Sequence, residues 1–560
     1  MVQKKMFLSN MICNTYQYIL MSSLMSLVFI LLTSDVHAGS VGTNQEEIEM
    51  GRRIYMEGIS TSGVPLKAER QGAVQLEGVA AACETCHRRS GMGSLEGNIH
   101  VMPIAGHYLF DTQENRPLAL LDTREAKNVT RAHAPYSEES LAKAIREGVN
   151  VSGREMNLVM PHYAMNDSDI KALSAYLKQL SDDLSPGVEE DSLHLATIIT
   201  PDVDPKKADV MVKMLEKAFE QRNATQEVHS GRMRSPLDLL PRKLRNWDLS
   251  VWELKGQPET WGGQLETYYS KMPVFAVLSG ISVTTWAPIS QFCEQKRLPC
   301  LLPNIPLPPS EKSYYSVYFS NGVSLEANVL AKQLRSDDKK VSKRIVQIYS
   351  DDEIGRGASK VLKDTFQESD LVVENRVLTD SDASKTKELL KGLSNNDVLV
   401  LWLKPKDLMK LTKLMGKNSP DKIYVSGILS DENYSFVTKA TKPHVRVIYP
   451  YELGSNRAKN MAMMKQWLKS WQIPLVDEPF QAEVFFDALL MTELSSQMLD
   501  NLYRDYLIER AEDMLSVGSN VSAYPHLSLS RGQRLASKGA YIARISNDGK
   551  LVSESDWLVP

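Results

Sequence analysis

Cys83-Glu84-Thr85-Cys86-His87 is the stretch on which the reading of this chain turns. Two thiols three positions apart, followed at once by an imidazole, suit covalent haem attachment. Each thiol can add to one vinyl group while the histidine reaches the iron from the same side. A disulfide redox motif would ordinarily follow a strand in a βαβ unit, and no such pattern surrounds these residues. A zinc site would need a second ligand pair of similar spacing, and the sequence has none. One haem c on Cys83 and Cys86, with His87 on the iron, is the expected cofactor.

Outward from the motif, residues 44–180 read as short helices joined by loops bearing glycine and histidine. Asn44 to Gly58 places Ile48, Ile54 and Tyr55 at helical spacing and stops on glycine. Ser137 to Gly148 has a serine cap, Leu141 and Ile145 one turn apart, and a terminal glycine. Asn166 to Leu180 begins with a capping asparagine and two aspartates that suit the helix dipole, then carries Ile170, Leu173, Leu177 and Leu180 as one apolar stripe. No strand pattern appears, so residues 39–180 are expected to form a small all-α domain.

An iron held by His87 needs a sixth ligand or keeps an open face. Met92, Met102, His107, His133, Met156, Met160, His162 and Met165 all follow the motif. Met160 is the best placed, because Met160-Pro161 stands just ahead of the third helix and proline fixes an extended approach. His162 and Met165 are its nearest rivals. In a chain with 24 methionines, any one of them can equally be flexible core filler. Histidine–methionine ligation raises the reduction potential and fills both axial sites, which favours electron transfer over catalysis. A di-haem peroxidase would need a second CxxCH, and the sequence has one.

The N-terminus carries Lys4 and Lys5, an apolar run from Tyr18 to Leu32, and a small-x-small end at Val36-His37-Ala38. This is the build of a signal peptide over residues 1–38, implying export to the periplasm and no stable membrane span after cleavage. The chain has 560 residues, more than one hydrophobic core usually serves. Its net charge of −4 gives no electrostatic reason to expect nucleic acid.

Residues 181–191, SDDLSPGVEED, read as a polar linker. Beyond it, from 192 to 560, strand-like runs at 193–200, 249–256 and 273–280 alternate with helical ones. A second series follows at 344–350, 371–378, 397–403, 422–429 and 445–450. Such alternation predicts parallel sheets covered by helices, and two series predict two lobes. The expected fold is therefore multidomain: an all-α domain followed by a two-lobed α/β module. Cys293 and Cys300 bracket EQKRLP, where export makes a local disulfide worth roughly 2–3 kcal/mol; two buried thiols are the alternative. Trp247, Trp252, Trp261 and Trp286 read more readily as core than as a ligand cage.

Residues 44–180 resemble a class I cytochrome c domain. The resemblance is carried by Met50-Gly51-Arg52-Arg53-Ile54-Tyr55, CETCH, Ile145-Arg146-Glu147-Gly148, Met160-Pro161 and Leu173-Ser174-Ala175-Tyr176-Leu177. It implies thioethers at Cys83 and Cys86, His87 and Met160 as axial iron ligands, and a close crossing of the first and last helices at Gly51. The segment from Gly91 to Pro135 is longer than a minimal member of that family needs.

Residues 193–560 resemble type I periplasmic ligand-binding proteins, the branched-chain amino-acid receptors of ABC transporters. The matching pieces are Leu278-Ser279-Gly280, Pro299 to Pro303, Phe319-Ser320-Asn321-Gly322, Arg344–Tyr349 with Gly355, and Phe486-Asp487-Ala488. Gly539-Ala540-Tyr541 and Ser555-Asp556-Trp557 also fit. The resemblance implies a ligand carboxylate on Ser282, Thr284 and Thr285, although these hydroxyls can equally cap the next helix. The acid that pairs with a ligand's amino group is replaced by Leu429, so a free amino acid is a poor ligand. A carboxylate, a neutral alcohol or aldehyde, or no ligand fits better.

Together these resemblances imply a periplasmic mono-haem electron carrier, not an enzyme. Its second module would dock a partner or sense a small molecule. Its redox partners would be a periplasmic dehydrogenase or another cytochrome. The alternative is an ABC-type solute receptor carrying an accessory haem.

Overall fold

The computed structural model describes residues 35–70, 74–96, 99–111, 133–230, 245–309, 313–336, 344–369, 371–379, 383–415, 419–516 and 522–560. The apolar run of the expected signal peptide and residues 112–132 lie outside these. No helix among the described residues is long and apolar enough to cross a membrane. The chain divides into two compact units that meet in sequence at Asp183–Leu184.

In the first unit, helix Asp35–Glu57 starts ahead of the expected cleavage point at Ala38. It crosses the last helix of the unit, Asp167–Gln179. A Cβ on Gly51 would lie 2.0 Å from the Ala172 carbonyl oxygen, so the crossing is possible only where position 51 lacks a side chain. Gly51→Ala must force the pair apart; a loss of roughly 1–3 kcal/mol is expected, read as a lower thermal midpoint of this unit.

Helix Glu138–Glu147 begins on Ser137, which closes a capping box with Ser140, and ends on Gly148 at φ 69°. Asn166 and Asp169 close a second capping box, and Asp169 Oδ1 also accepts from the Thr61 amide and hydroxyl at 2.8 and 2.7 Å. Ile54, Tyr55, Leu141, Ile145, Ile170, Leu173, Leu177 and Leu180 pack into one core. The expectation of no strands is corrected. Strands β1 (Lys67–Arg70) and β2 (Val74–Glu77) form an antiparallel pair, β3 (Ser94–Glu96) and β4 (Ile99–Val101) form another, and β5 (His162–Tyr163) joins β1. None exceeds four residues, too few to show alternation in the sequence.

Among its described residues the second unit holds two sheets. The first is parallel, in the order β10 (Ser316–Val317), β9 (Cys300–Leu301), β8 (Ala276–Leu278), β6 (Ser192–Ile199), β7 (Asn246–Glu253). The second has the order β12 (Val372–Leu378), β11 (Arg344–Ser350), β13 (Val398–Trp402), β14 (Lys422–Ser426), β15 (Val445–Tyr449), β16 (Tyr541–Ile545), β17 (Leu551–Ser553). Its first five strands are parallel and the last two antiparallel. Strand β13, VLVLW, is buried along its whole length, as expected of a central parallel strand covered on both faces.

The chain leaves the first sheet after β10 and returns after β15 through helices Gly454–Ser470, Glu478–Met498 and Arg504–Ser516. It then ends in the second sheet, so three segments link the lobes. Residues 185–191 are tied into this unit. The Arg504 guanidinium donates to Pro186 O at 3.1 Å, the Arg504 amide donates to Ser185 Oγ at 3.0 Å, and Gly187 at φ 89° lies against the Phe275 backbone. Trp252, Trp261 and Trp286 lie in the first lobe's core, and buried Trp247 packs edge-on to Phe219.

Candidate haem site and second-module contacts

Cys83 caps the single helical turn Glu84–His87, and Cys86 lies within it. The turn is closed by Thr85 donating to Val79 O and Ser94 donating to Cys86 O at 2.9 Å. Arg88 then leaves it at φ 65°, ψ 168°, a region almost reserved for glycine and costing a residue with a side chain about 1–3 kcal/mol. The His87 Nδ1 lies 2.9 Å from the Met102 carbonyl oxygen. A carbonyl only accepts, so Nδ1 carries the hydrogen and the Nε2 lone pair is left for a metal. Burial drives the His87 pKa down to about 4, with the Met102 bond opposing, which keeps the ring neutral, as a ligand requires. Burial also pushes the Cys83 thiol up to about 12.

Cys83, Cys86 and His87 share one cavity of about 840 Å³, within the range of cofactor pockets. Leu141, Ile145, Leu173 and Leu177 supply apolar wall, and Met160 also lines it. The two thiols are not disulfide-bonded to each other. Size, apolar lining, two thiols outside any disulfide and a tethered neutral imidazole together fit a haem.

Of the sixth-ligand candidates, Met102, His133, Met156 and Met160 line this cavity. Met102 gives its carbonyl to His87, which ties its backbone to the Cys-x-x-Cys-His turn. Met92, His107, His162 and Met165 are not among the walls; Met92, His107 and Met165 are buried elsewhere, and His162 is exposed beside Gly148. Met160 is carried on a turn in which its amide donates to Asn157 O at 2.9 Å. Sequence reasoning missed Tyr55, His100, Arg154 and Tyr163 as wall residues. Tyr55 stood in the quoted first-helix motif, where its spacing pointed only to core.

In the second unit, Ser282, Thr284 and Thr285 come together in the turn before helix Ala287–Gln295. The Ser282 hydroxyl donates to Thr285 O at 3.0 Å and accepts from the Thr284 amide at 3.2 Å. Thr285 Oγ1 accepts from the Ala287 amide at 3.2 Å. These bonds serve the local backbone. Cys293 and Cys300 are disulfide-bonded, with Cα atoms 6.4 Å apart.

Leu429 packs against the second lobe's core. A carboxylate nonetheless reaches the adjoining turn: Glu326, from helix Gly322–Ser336, accepts from the Ser426 hydroxyl and from the Gly427 and Ile428 amides at 2.9 and 3.0 Å. Two further buried acids sit one turn apart on helix Glu478–Met498. Glu483 accepts from Tyr524 OH at 2.7 Å and from the Asn304 amide group. Asp487 Oδ2 accepts from the Ser279 amide and hydroxyl at 2.5 and 3.0 Å, while its Oδ1 has no hydrogen-bond partner among the described residues. Burial raises both to about 8 against their hydrogen bonds. The signal for them was an acid within an apolar helical run, AEVFFDALL.

A family model described as cytochrome c matches residues 77–181. Among solved structures, a fatty acid ABC transporter substrate-binding protein from Thermomonospora curvata is similar at 14% identity and TM-score 0.50, over 68% of this chain and 95% of that one. A possible leucine/isoleucine/valine-binding protein from Rhodopirellula baltica gives 12% and 0.51, over 67% and 98%. A branched-chain amino acid ABC transporter protein from Thermus thermophilus with bound valine gives 8% and 0.50, over 66% and 97%. Comparison with curated proteins found no match. Residues 77–181 are thus a cytochrome c domain, and the chain as a whole is multidomain, its larger part having the fold of the type I periplasmic branched-chain amino-acid-binding proteins.

Proposed function

We propose that this protein is an exported mono-haem electron carrier whose second module recognises a redox partner or a small molecule. Residues 1–38 act as the signal peptide and the mature protein works in the periplasm. The observation that carries the reading is the single cavity walled by Cys83, Cys86, His87 and Met160.

Haem c supplies reversible one-electron chemistry when bound. Cys83 and Cys86 hold the cofactor in place. The Met102 carbonyl orients His87 and strengthens it as a donor. Met160 would hold the iron through a soft thioether, which would favour the reduced state. Leu141, Ile145, Leu173 and Leu177 keep water from the ring. Electron transfer then needs only a partner at close range, such as a periplasmic dehydrogenase or another cytochrome.

The absorption spectrum of the purified full chain tests this. A low-spin spectrum with a methionine–iron charge-transfer band in the oxidised form is expected, with covalently retained haem equal to one per chain. Met160→Ala should abolish that band and confer rapid carbon monoxide binding on the reduced protein. A wild-type protein that already binds carbon monoxide rapidly would remove Met160 from the iron.

A second reading, a solute receptor with an accessory haem, draws on the fold of the larger module. Its structural relatives include a fatty acid ABC transporter substrate-binding protein and a branched-chain amino acid ABC transporter protein with bound valine. Leu429 and the engagement of Glu326 by its turn argue against a free amino acid, whose ammonium would lack a counter-charge. A thermal-shift screen of carboxylates, alcohols, aldehydes and amino acids separates the readings; a stabilising hit that leaves the haem potential unchanged favours the receptor.

A further inference from the structure

Arg88 follows His87 directly, is 7% exposed, and holds a backbone conformation at φ 65°, ψ 168° that residues with side chains rarely adopt. Such a conformation persists where neighbours over-determine it. The Arg88 amide donates to Glu84 O at 3.0 Å, and its carbonyl accepts from the Gly91 amide at 3.2 Å. The Gly93 amide donates to His87 O at 3.0 Å. These ties are local. Another comes from 33 residues away: the Tyr55 hydroxyl donates to Arg88 O at 2.6 Å, in a buried bond.

Tyr55 is well suited to hold a fixed point. Its side chain is fully buried and lines the cavity that His87 lines. Its ring packs on Tyr176 of helix Asp167–Gln179, with centroids 5.4 Å apart. One turn earlier on the same helix, Gly51 meets the Ala172 carbonyl at a distance that admits no Cβ. The hydroxyl is thus anchored to the close crossing of the two long helices.

The geometry points to Tyr55 as a positioning residue for His87, acting through the Arg88 carbonyl. This rests on the reading of His87 as the proximal iron ligand. The hydroxyl pins the peptide plane one residue beyond the histidine and holds the turn in its rare conformation. The backbone of His87, and with it the aim of Nε2 and the Met102 contact of Nδ1, is then set by the helix crossing. Without the hydroxyl, Arg88 can relax toward an ordinary conformation and the imidazole turns with it. Ring orientation and histidine basicity are levers on a haem potential.

The test uses the full-length holoprotein. Tyr55→Phe keeps the ring and its packing on Tyr176 and removes the donor. With haem content as in wild type, the low-spin electron paramagnetic resonance g values and the midpoint potential should both shift. Tyr176→Phe, which alters the same helix pair but not this bond, should leave both unchanged. Should Tyr55→Phe fail to retain haem, 4-aminophenylalanine at position 55 restores an N–H donor on the same ring and should return haem content and g values toward wild type. Unchanged g values and potential in a haem-loaded Tyr55→Phe protein overturn the inference alone, as does failure of the amino analogue to restore a haem-deficient variant. A wild-type chain without covalent haem overturns the underlying reading as well.

Discussion

Cys83→Ser/Cys86→Ser, freed of any loosely held haem, is expected to lose the tertiary structure of the first unit while the second stays folded. The cavity shared by these cysteines and His87 measures about 840 Å³ and is walled in part by the unit's own core residues, Leu141, Ile145, Leu173 and Leu177. Emptied, the cavity leaves these four side chains facing water, and burying one such side chain is worth about 1.5–3 kcal/mol. A domain is stabilised by only about 5–15 kcal/mol. The walls must therefore collapse or separate once the occupant is gone. Near-ultraviolet circular dichroism and a thermal scan read the result: two transitions in the wild type, one in the variant. Both transitions persisting at wild-type temperatures would show that the walls stand without a filling, and would sink the assignment of this cavity to a structural cofactor.

The second large effect is a dependence of the second unit's stability on pH, opposite in sign to ordinary acid denaturation. Glu483 and Asp487 keep their protons in the folded protein up to about pH 8, whereas unperturbed groups titrate near 4.5 and 3.8. Between those limits the folded state binds more protons than the unfolded state, so raising the pH favours unfolding. The slope is about 1.4 kcal/mol per group for each pH unit crossed. Asp477 adds to the rise of Glu483 and Lys207 opposes it; neither cancels the burial that dominates. The thermal midpoint of this unit should fall from pH 5 to pH 8. Glu483→Gln and Asp487→Asn each preserve shape and remove the titrating group, and each should flatten that fall. A wild-type midpoint that rises across the same window excludes protonated carboxyls at these positions.

These two expectations draw on features of unequal legibility. The proposed haem-binding residues stand out because thiol and imidazole chemistry is confined to a five-residue motif, and Ser137–Gly148 because each end carries its own capping signal. The parallel strands announced themselves as β-branched runs, with Arg344–Ser350 matching residue for residue. The small strands of the first unit did not, since two to four residues carry no period. The tether of His87 was invisible because its partner is a main-chain carbonyl, which any residue at position 102 would supply. The conformation of Arg88 was hidden for the opposite reason: the sequence shows a residue that ordinarily avoids it. Glu326 meets Ser426 across 100 residues, a pairing that only the lobe's packing creates.

The placement of sulfur in the two units bears on how the protein is made. Haem attachment requires Cys83 and Cys86 as thiols, yet the proposed export would deliver them to a compartment where thiols are oxidised. The four cysteines after residue 38 could in principle join in wrong combinations while the chain is unfolded. Cys293 and Cys300 are seven residues apart, bonded to each other and buried. Once the larger unit folds, its two sulfurs leave circulation, because exchange needs access to the bond. The hazard to maturation is then confined to the interval before that event and to the Cys83–Cys86 pair itself. Biogenesis has only one dithiol left to guard.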